Sequence, residues 1–421
     1  MDILYISQNF PPEIGAASAR AFELSRHWVG MGHRVTILTG FPRYPTGHSN
    51  HYRQPGSGAL TRRETVEDVS VIRTWLWGIG DRGVRDRVLS YTSFWLSSTL
   101  RGIPIPRPDV VIASSPPLTV GLTGWWLSRI KRTPFIFDIR DLWPESITDL
   151  VPMTNGSTMV RILGGMSRFL YDRADQLVVT SHSAKHKLIE DRKVEPERIR
   201  VIPNGVETEQ FGPIDNAEAI REGLGLGGKI LVSFIGTIGL AQDVDLVIRS
   251  AARLVPSLKP IHFLFIGEGP RKSQAMDAVA RLGLSNVTFL PGQKRDEVPG
   301  LIQASDICLV TLRKAPVNDS VIPVRMLEFM SCGRPVLLSA GGEAGRIVNA
   351  AGAGMVTEQG SDMALTDAIV RLGRDAGLRR HMGEKGRQYV LANFSRAQTA
   401  IRYLEVLEEA SSRHMKAKGN N

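Results

Sequence analysis

The feature that most constrains the fold of this chain is a regular alternation of short apolar runs with longer helical patterns. In the first half the runs occupy residues 3–6, 34–38, 110–113, 135–137, 177–180 and 199–202. Glycine, proline or serine residues bound these runs, as is typical of the fully buried strands of a parallel sheet. Helical patterns, such as the one over 18–30, lie between them. Strands that alternate with helices predict βαβ units and a doubly wound α/β domain.

The same alternation restarts after a glycine-rich stretch at 223–228, with apolar runs at 230–235, 262–266, 287–290, 307–310 and 335–339. We therefore predict two Rossmann-like domains, one over 1–208 and one over 209–395. A C-terminal helix at 396–413 is expected to pack back on the first domain. Because ligands bind at the carboxyl ends of the strands in such sheets, two facing domains would enclose a central cleft that holds the substrates.

The charge of the chain favours an anionic partner. The net charge is +10, and residues 1–134 contain 16 Lys/Arg against 9 Asp/Glu. Such an excess suits a phosphorylated substrate, a membrane surface or nucleic acid, although a solvated basic surface would look the same. The chain contains neither an RNP-type aromatic strand nor a recognisable DNA-reading motif, so we expect no nucleic-acid partner.

Cysteine usage and the apolar segments predict a cytoplasmic protein. Cys308 and Cys332 lie among apolar residues and are expected to be buried thiols in a reducing compartment. The first residues do not resemble a signal peptide. The stretch 110–128 is uncharged over about the length of a membrane span. Two prolines and two glycines interrupt it, which favours a strand, a turn and a helix.

Several motifs, taken in their order and spacing, carry a resemblance to a known family. The second half resembles the nucleotide-binding domain of retaining glycosyltransferase family 4, and the first half is similar to its WbuB-like and colanic-acid-type branch of surface-polysaccharide transferases. The motifs of the second half are 201–206, 234–239, 265–270 and 323–336, and those of the first half are 39–47, 115–118 and 141–146. The resemblance implies the GT-B fold, a nucleotide-diphosphate sugar donor, most simply a UDP-sugar, and retention of anomeric configuration.

The segment that begins at Pro323 is the strongest candidate for the donor site. Proline suits the first position of a helix, and the N-terminus of that helix could face an anion. The resemblance implies that Glu328 holds the ribose hydroxyls, although a solvent-facing helical glutamate is the alternative. The family usually has a second glutamate eight positions earlier, where this chain has Ser320. The resemblance also places Gly15, otherwise a simple turn glycine, over the diphosphate.

A glycine-containing loop follows the apolar run 230–235. Gly236 and Gly239 would permit positive φ angles and close approach of a phosphate, with Thr237 between them. The family commonly has basic residues in this loop, and this chain has none there. Lys314 and Arg325 are therefore our candidates for neutralising the diphosphate, although either could be an ordinary surface charge.

Three carboxylates follow the apolar run 135–137 and are the candidates for catalysis. Asp138, Asp141 and Glu145 should lie at the carboxyl end of a strand. There a carboxylate could stabilise an oxocarbenium-like transition state or orient the acceptor hydroxyl. The alternative is an ion pair between Arg140 and a neighbouring aspartate, together with a helix cap.

We expect no metal and no cofactor. The chain has no evident Asp-x-Asp pair, and His182 and His186, although four apart, have no acidic residue between them. They are expected to lie on the surface. Backbone N–H groups, a helix N-terminus and basic side chains would then hold the leaving diphosphate.

Residues 82–101 combine Arg82, Arg85 and Arg87 with an apolar and aromatic helix pattern. This combination suits an anionic membrane surface and a lipid-linked or polysaccharide acceptor, unless it is a core helix with a basic start. The resemblance implies transfer of a hexosyl or N-acetylhexosaminyl unit in surface-polysaccharide assembly. A sugar-nucleotide epimerase of the UDP-GlcNAc 2-epimerase type and a non-catalytic binding protein are the alternatives.

Overall fold

The computed structural model describes residues 1–42, 60–78, 84–148, 158–214, 217–254 and 261–419. The chain divides into two compact units. The first contains Met1–Asn204 and Arg396–Asn421, and the second contains Gly205–Ser395.

The first unit is built on an eight-stranded sheet of order β3-β4-β2-β1-β5-β6-β7-β8. Its strands are β1 Asp2–Ser7, β2 Arg34–Gly40, β3 Thr61–Val66, β4 Val69–Thr74, β5 Val110–Ser115, β6 Phe135–Ile139, β7 Gln176–Val179 and β8 Ile199–Val201. All neighbours are parallel except β3, which pairs antiparallel with β4 at the edge. Each apolar run of the first half is a strand. The pattern missed β3 and β4. β3 is an edge strand with charged residues and no buried ones, and in β4 the polar residues Ser70 and Arg73 interrupt the apolar run.

Helices cover both faces of this sheet. They are α1 Ala16–Gly30, α2 Val84–Gly102, α3 Thr119–Lys131, α4 Glu145–Thr148, α5 Thr158–Arg173, α6 His182–Arg192 and, numbered along the whole chain, α15 Arg396–Gly419. Along β1, Leu4 and Ile6 belong to the core beneath α2, α3 and α5. Ile3 and Tyr5 belong to the opposite core, beneath α1 and α15. This alternation is the period of two that a strand buried on both faces requires.

The C-terminal helix belongs to the first unit. The indole N–H of Trp28 on α1 donates to the carbonyl of Ala400 on α15 at 2.9 Å. The ring of Trp28 packs edge-on against Tyr403. A buried ion pair at 2.8 Å joins Glu23 of α1 to Arg396, the first residue of α15.

The uncharged stretch 110–128 forms β5, a turn with Pro116 and Pro117, and most of α3. The prolines interrupt the stretch as expected, whereas Gly121 and Gly124 lie within α3 and do not break it. No helix in the described part of the chain has both the length and the apolar character needed to cross a bilayer.

The second unit is built on a six-stranded parallel sheet of order β11-β10-β9-β12-β13-β14. Its strands are β9 Ile230–Ile235, β10 Ile261–Ile266, β11 Val287–Leu290, β12 Ile307–Thr311, β13 Val336–Ser339 and β14 Gly354–Val356. Its helices are α7 Ala217–Gly223, α8 Val244–Leu254, α9 Lys272–Arg281, α10 Val298–Gln303, α11 Val324–Ser331, α12 Gly342–Ala351, α13 Asp362–Arg374 and α14 Ala376–Asn393. Cys308 and Cys332 are buried free thiols, as expected.

Each sheet has a point at which the strand order reverses. In the first sheet this switch lies between β1 and β5, and in the second it lies between β9 and β12. The loops that leave these strands diverge, and the crevice between them is where open α/β sheets bind ligands. In the second unit these loops are 236–243 and 312–323, which contain most of the predicted donor residues.

Candidate active site

The loop after β9 is fixed by backbone contacts that only glycine allows. Gly236 has φ +129°, and a Cβ there would lie 3.3 Å from Nη1 of Arg325. A Cβ on Gly267, in the loop after β10, would lie 2.0 Å from the carbonyl oxygen of Gly236. The two loops therefore pack backbone to backbone, and the absence of side chains makes room for the Arg325 guanidinium.

Three backbone N–H groups of this loop are committed to partners within the protein. Gly236 N–H donates to the Ile266 carbonyl and Ile238 N–H to the Glu268 carbonyl, both at 2.9 Å. The N–H of buried Gly239 donates to Oε1 of Gln242 at 3.2 Å. Thr237 is exposed. These three N–H groups are therefore not available to an anion.

Arg325 supplies a cation at this position. Its Cζ lies 4.9 Å from the centroid of the Phe234 ring, and its Nη1 is buried with no hydrogen-bond partner among the described residues. Burial lowers the pKa of Arg325 to about 10, although the nearby Glu328 carboxylate opposes this shift. A buried N–H donor that the protein leaves unsatisfied is costly, and an anion from a ligand would satisfy it.

Glu328 lies on the second turn of α11 and is buried, with 6% of its surface exposed. Its Oε1 accepts a charge-assisted hydrogen bond from Nη1 of Arg295. The guanidinium of Arg295 also stacks on the buried Phe211, with Cζ 4.5 Å from the ring centroid. Glu328 is therefore not the solvent-facing side chain of the alternative interpretation. Sequence reasoning missed Arg295, because it lies in the loop after β11 and no motif marks it.

The remaining predicted donor residues lie on the segment between β12 and α11. Pro323 precedes the first helical residue, Val324, and is the N-cap rather than the first helical position. Its φ of −64° suits the approach to a helix, but its ψ of 122° is extended, so the helix begins one residue later. Lys314 is exposed. Ser320 is buried, and its hydroxyl donates to the Val317 carbonyl at 2.8 Å.

In the first unit, Gly15 caps the N-terminus of α1. It is exposed with φ +151°, and no atom lies within 4 Å of the position that a Cβ would take. The N-cap therefore provides no side chain that could accept a hydrogen bond from the first turn of this 15-residue helix. Open N-terminal N–H groups of a helix attract anions.

Asp138, the last-but-one residue of β6, is fully buried. Nη2 and Nε of Arg20 donate to its two oxygens at 3.1 and 3.2 Å, and the Ser114 hydroxyl donates at 2.8 Å. The structure therefore departs from the expectation that this carboxylate lies open to a ligand, because the pair with Arg20 encloses it. The alternative interpretation named the wrong cation, since the partner is Arg20 rather than Arg140.

Asp141 and Glu145 have different surroundings. Asp141 is half-buried, and burial raises its pKa while Arg140 opposes the shift. Arg140 itself donates to Oγ of Ser114 at 3.1 Å and to the Pro116 carbonyl at 3.4 Å. Glu145, at the start of α4, forms an ion pair with Arg192. Asp141 is thus the one of the three candidate carboxylates for which the described residues provide no ion pair.

Among the described residues, no group of three or more His, Cys, Asp or Glu side chains is arranged to hold a metal ion. His182 and His186 are exposed on α6, as expected. Residues 43–47 of the motif 39–47, and Arg82, lie outside the described residues.

Comparison with known proteins agrees with this architecture. Residues 15–205 match the family model described as a glycosyl transferase 4-like domain, and residues 216–389 match the model described as glycosyl transferases group 1. A putative colanic acid biosynthesis glycosyl transferase, WcaI of Escherichia coli (strain K12), is 25% identical over 81% of this chain and 83% of its own length.

Two solved structures show the same fold. A sucrose-phosphate synthase from Thermosynechococcus elongatus superposes with a TM-score of 0.77 at 18% identity, covering 98% of this chain and 99% of that one. HepE of Anabaena, solved in complex with UDP-glucose, superposes with a TM-score of 0.72 at 16% identity, covering 97% and 99%. These likenesses confirm the predicted fold class of two Rossmann-like α/β domains. With one domain matched by the 4-like model and the other by the group 1 model, the chain belongs to the glycosyltransferases.

Proposed function

We propose that this glycosyltransferase moves a hexosyl or N-acetylhexosaminyl unit from a nucleotide-diphosphate sugar to a lipid-linked or polysaccharide acceptor in surface-polysaccharide assembly. The observation that carries the proposal is the buried, unpartnered Nη1 of Arg325 beside Gly236. A cationic hydrogen-bond donor without a partner therefore lies at the strand-order switch of the second sheet. The name of the E. coli relative supports a role in polysaccharide synthesis, and the UDP-glucose bound to HepE supports a UDP-sugar donor.

The second unit would hold the donor through two side chains of α11. The Glu328 carboxylate would accept hydrogen bonds from the ribose hydroxyls, with Arg295 fixing the orientation of the carboxylate through Oε1. Arg325 would hold the diphosphate and stabilise the negative charge that grows as the bond from the anomeric carbon to the phosphate oxygen breaks. Lys314, exposed on the loop after β12, could add a second cation. On this proposal protein groups hold the leaving diphosphate, and neither a metal nor a cofactor is required.

The first unit would provide the acceptor side. Asp141 is the carboxylate best suited to act on the acceptor, because its raised pKa makes it a stronger base than a fully solvated aspartate. It would orient the acceptor hydroxyl or accept its proton as the new glycosidic bond forms. Asp138 would be a positioning residue, since its pair with Arg20 fixes the end of β6, and Glu145 would fix the start of α4 through Arg192. The open N-terminus of α1 at Gly15 would face the diphosphate. We propose that the transfer retains the configuration of the anomeric carbon.

A membrane-bound acceptor would place the protein on the cytoplasmic face of the plasma membrane as a peripheral protein. Arg85 and Arg87 are exposed on α2, in agreement with this proposal. The epimerase and the non-catalytic alternatives are both disfavoured by the two family matches.

The proposal is tested by calorimetric titration with UDP, GDP, ADP and their sugars, using the wild type and Glu328→Ala. We expect one nucleotide to bind, and the variant to lose roughly 10- to 150-fold in affinity, since a charge-assisted hydrogen bond contributes about 1.5–3 kcal/mol. Glu343→Ala, which replaces a buried glutamate at the start of α12, is the matched control. Equal affinity of Glu328→Ala and the wild type would refute the ribose assignment. Conversion of the donor sugar to an epimer without any acceptor would identify the epimerase.

A further inference from the structure

One turn of α2 meets the carboxyl ends of β1 and β6 in the first unit. The side-chain amide of Gln8, the residue after β1, donates to the Ser90 hydroxyl at 3.4 Å. The Trp143 ring, from the loop after β6, packs against the Tyr91 ring with the two centroids 6.3 Å apart. Because open α/β sheets bind ligands at the carboxyl ends of their strands, these side chains lie at the ligand-binding edge of this sheet.

Gln8 is buried without a full set of hydrogen bonds. It is 3% exposed, and its Oε1 has no hydrogen-bond partner among the described residues. Turning the amide over would let Oε1 accept from Ser90 and would leave Nε2 unpaired instead. In either orientation one polar atom of the amide lacks a partner, which costs free energy. A hydroxyl group from a ligand would remove that cost.

Trp143 lies close to Asp141, the candidate that acts on the acceptor. One part of the indole packs on the core beneath α2, and the side chain as a whole is half-buried. The carbonyl of Trp143 accepts a hydrogen bond from the Ser167 hydroxyl at 2.9 Å, which fixes the backbone at this position. Asp141 precedes Trp143 by two residues, so their Cα atoms are separated by no more than about 7 Å. A single sugar ring with its hydroxyls is of comparable size.

The charges in this loop balance each other. Arg140 is held by two neutral acceptors, the Ser114 hydroxyl and the Pro116 carbonyl, and Asp141 beside it carries the opposite charge. One cation and one anion leave the loop without a net charge that would attract a phosphate or a carboxylate. Aromatic surface with a few polar groups and no net charge suits a neutral ligand that has both C–H and hydroxyl groups.

We propose that Tyr91 and Trp143 hold a neutral pyranose ring of the acceptor, with Gln8 hydrogen-bonded to one of its hydroxyls. The C–H face of the ring would pack on the aromatic side chains, which removes apolar area from water. Asp141 would then lie beside the hydroxyl that receives the donor sugar. The inference rests on the proposed transfer, and it names the chemical class of the acceptor as a saccharide with an uncharged terminal sugar.

The experiment is saturation-transfer NMR of the full-length protein with methyl glycosides of glucose, galactose, mannose and N-acetylglucosamine, with and without UDP. Methyl phosphate and methyl glucuronide are the anionic probes. We expect at least one neutral glycoside to bind more tightly than either anionic probe. Trp143→Leu should bind that glycoside at least about tenfold more weakly, from the lost contact with a large aromatic side chain. Trp143→Phe keeps an aromatic face and should lose less.

Two further variants separate ligand binding from folding. Trp126→Leu, in the middle of α3, is the matched control, since Trp126 is a 45% exposed tryptophan of the same unit, and it should bind the glycoside as the wild type does. Gln8→Met removes the unpaired polar atom at nearly constant shape. We expect it to keep or raise the Tm while it weakens glycoside binding.

The inference is overturned if Trp143→Leu and Trp126→Leu bind the glycoside equally, if an anionic probe binds more tightly than every neutral glycoside, or if the wild type binds none of the glycosides. It is also overturned if Gln8→Met lowers the Tm and leaves glycoside affinity unchanged. UDP affinity, measured in parallel, should be the same in all four variants. A wild type that binds a glycoside but no nucleotide would contradict the proposed function and leave this inference standing.

Discussion

Replacing Arg325 by methionine should make the protein more stable and a poorer binder of its donor. Burial holds the pKa of Arg325 at about 10, against about 12.5 for arginine in water. The charged form is therefore disfavoured in the folded state, and at neutral pH this cost is fully present. It disappears only as the pH rises above the folded pKa, because there the folded state no longer holds the proton.

The size of the effect follows from that difference. At 1.36 kcal/mol for each pH unit, the cost is about 3 kcal/mol. We discount it to about 1–2 kcal/mol, because part of the side chain reaches solvent and because the contact with Phe234 is lost. For a domain the size of Gly205–Ser395, this corresponds to a rise in Tm of roughly 2–8 °C.

Calorimetry with and without UDP provides the assay. Loss of the Arg325 hydrogen bond should weaken UDP binding roughly 10- to 150-fold. At a UDP concentration of 100 times the wild-type Kd, the wild type gains about 2.7 kcal/mol, whereas the variant gains about 0.3–1.4 kcal/mol. The variant should therefore lose most of its stability advantage over the wild type when UDP is present.

Arg253→Met is the control for this experiment, since Arg253 forms a surface ion pair with Asp362. Its removal should change stability by less than about 1 kcal/mol and leave UDP affinity unchanged. If Arg325→Met is less stable than the wild type and binds UDP equally well, the guanidinium is a structural group and the anion site lies elsewhere.

Three further outcomes are expected. Product formation should persist in excess EDTA, and complete loss that Mg²⁺ or Mn²⁺ restores would contradict metal-independent transfer. Asp138→Asn should lower the free energy of unfolding by about 3–5 kcal/mol in denaturant titration, because Arg20 is left buried without its charge partner; a change below about 1 kcal/mol would contradict this. Asp141→Asn should lower kcat with little change in donor Kd. Because the pKa of Asp141 is raised, the wild-type rate should fall on the acid side at a pH above the usual aspartate pKa. An unchanged pH profile in Asp141→Asn would exclude this carboxylate as the group that acts on the acceptor.

The sequence predicted the strands that form continuous apolar runs, because exposure of such a run to water is unfavourable and the run must be buried on both faces. It did not predict β3, because this edge strand contains the charged residues Arg62–Glu64 and shows no alternation of apolar and polar residues. At the candidate site, a helix start and a family motif mark Glu328 and Arg325 as candidates. Arg295 and Arg20 were missed, because their partners are 33 and 118 residues away along the chain. Long-range pairing of this kind leaves no local pattern.

The position of α15 has a consequence for synthesis. The first unit is not a continuous segment, because its core includes Ala400, Tyr403 and Leu407 from the end of the chain. While the ribosome is still translating the second unit, Trp28 and its neighbours on α1 have no helix to cover them. The nascent first unit must wait for Gly205–Ser395 to emerge before its core can close, which exposes an apolar face throughout that interval. A fragment that ends at Asn204 should therefore need chaperones or aggregate.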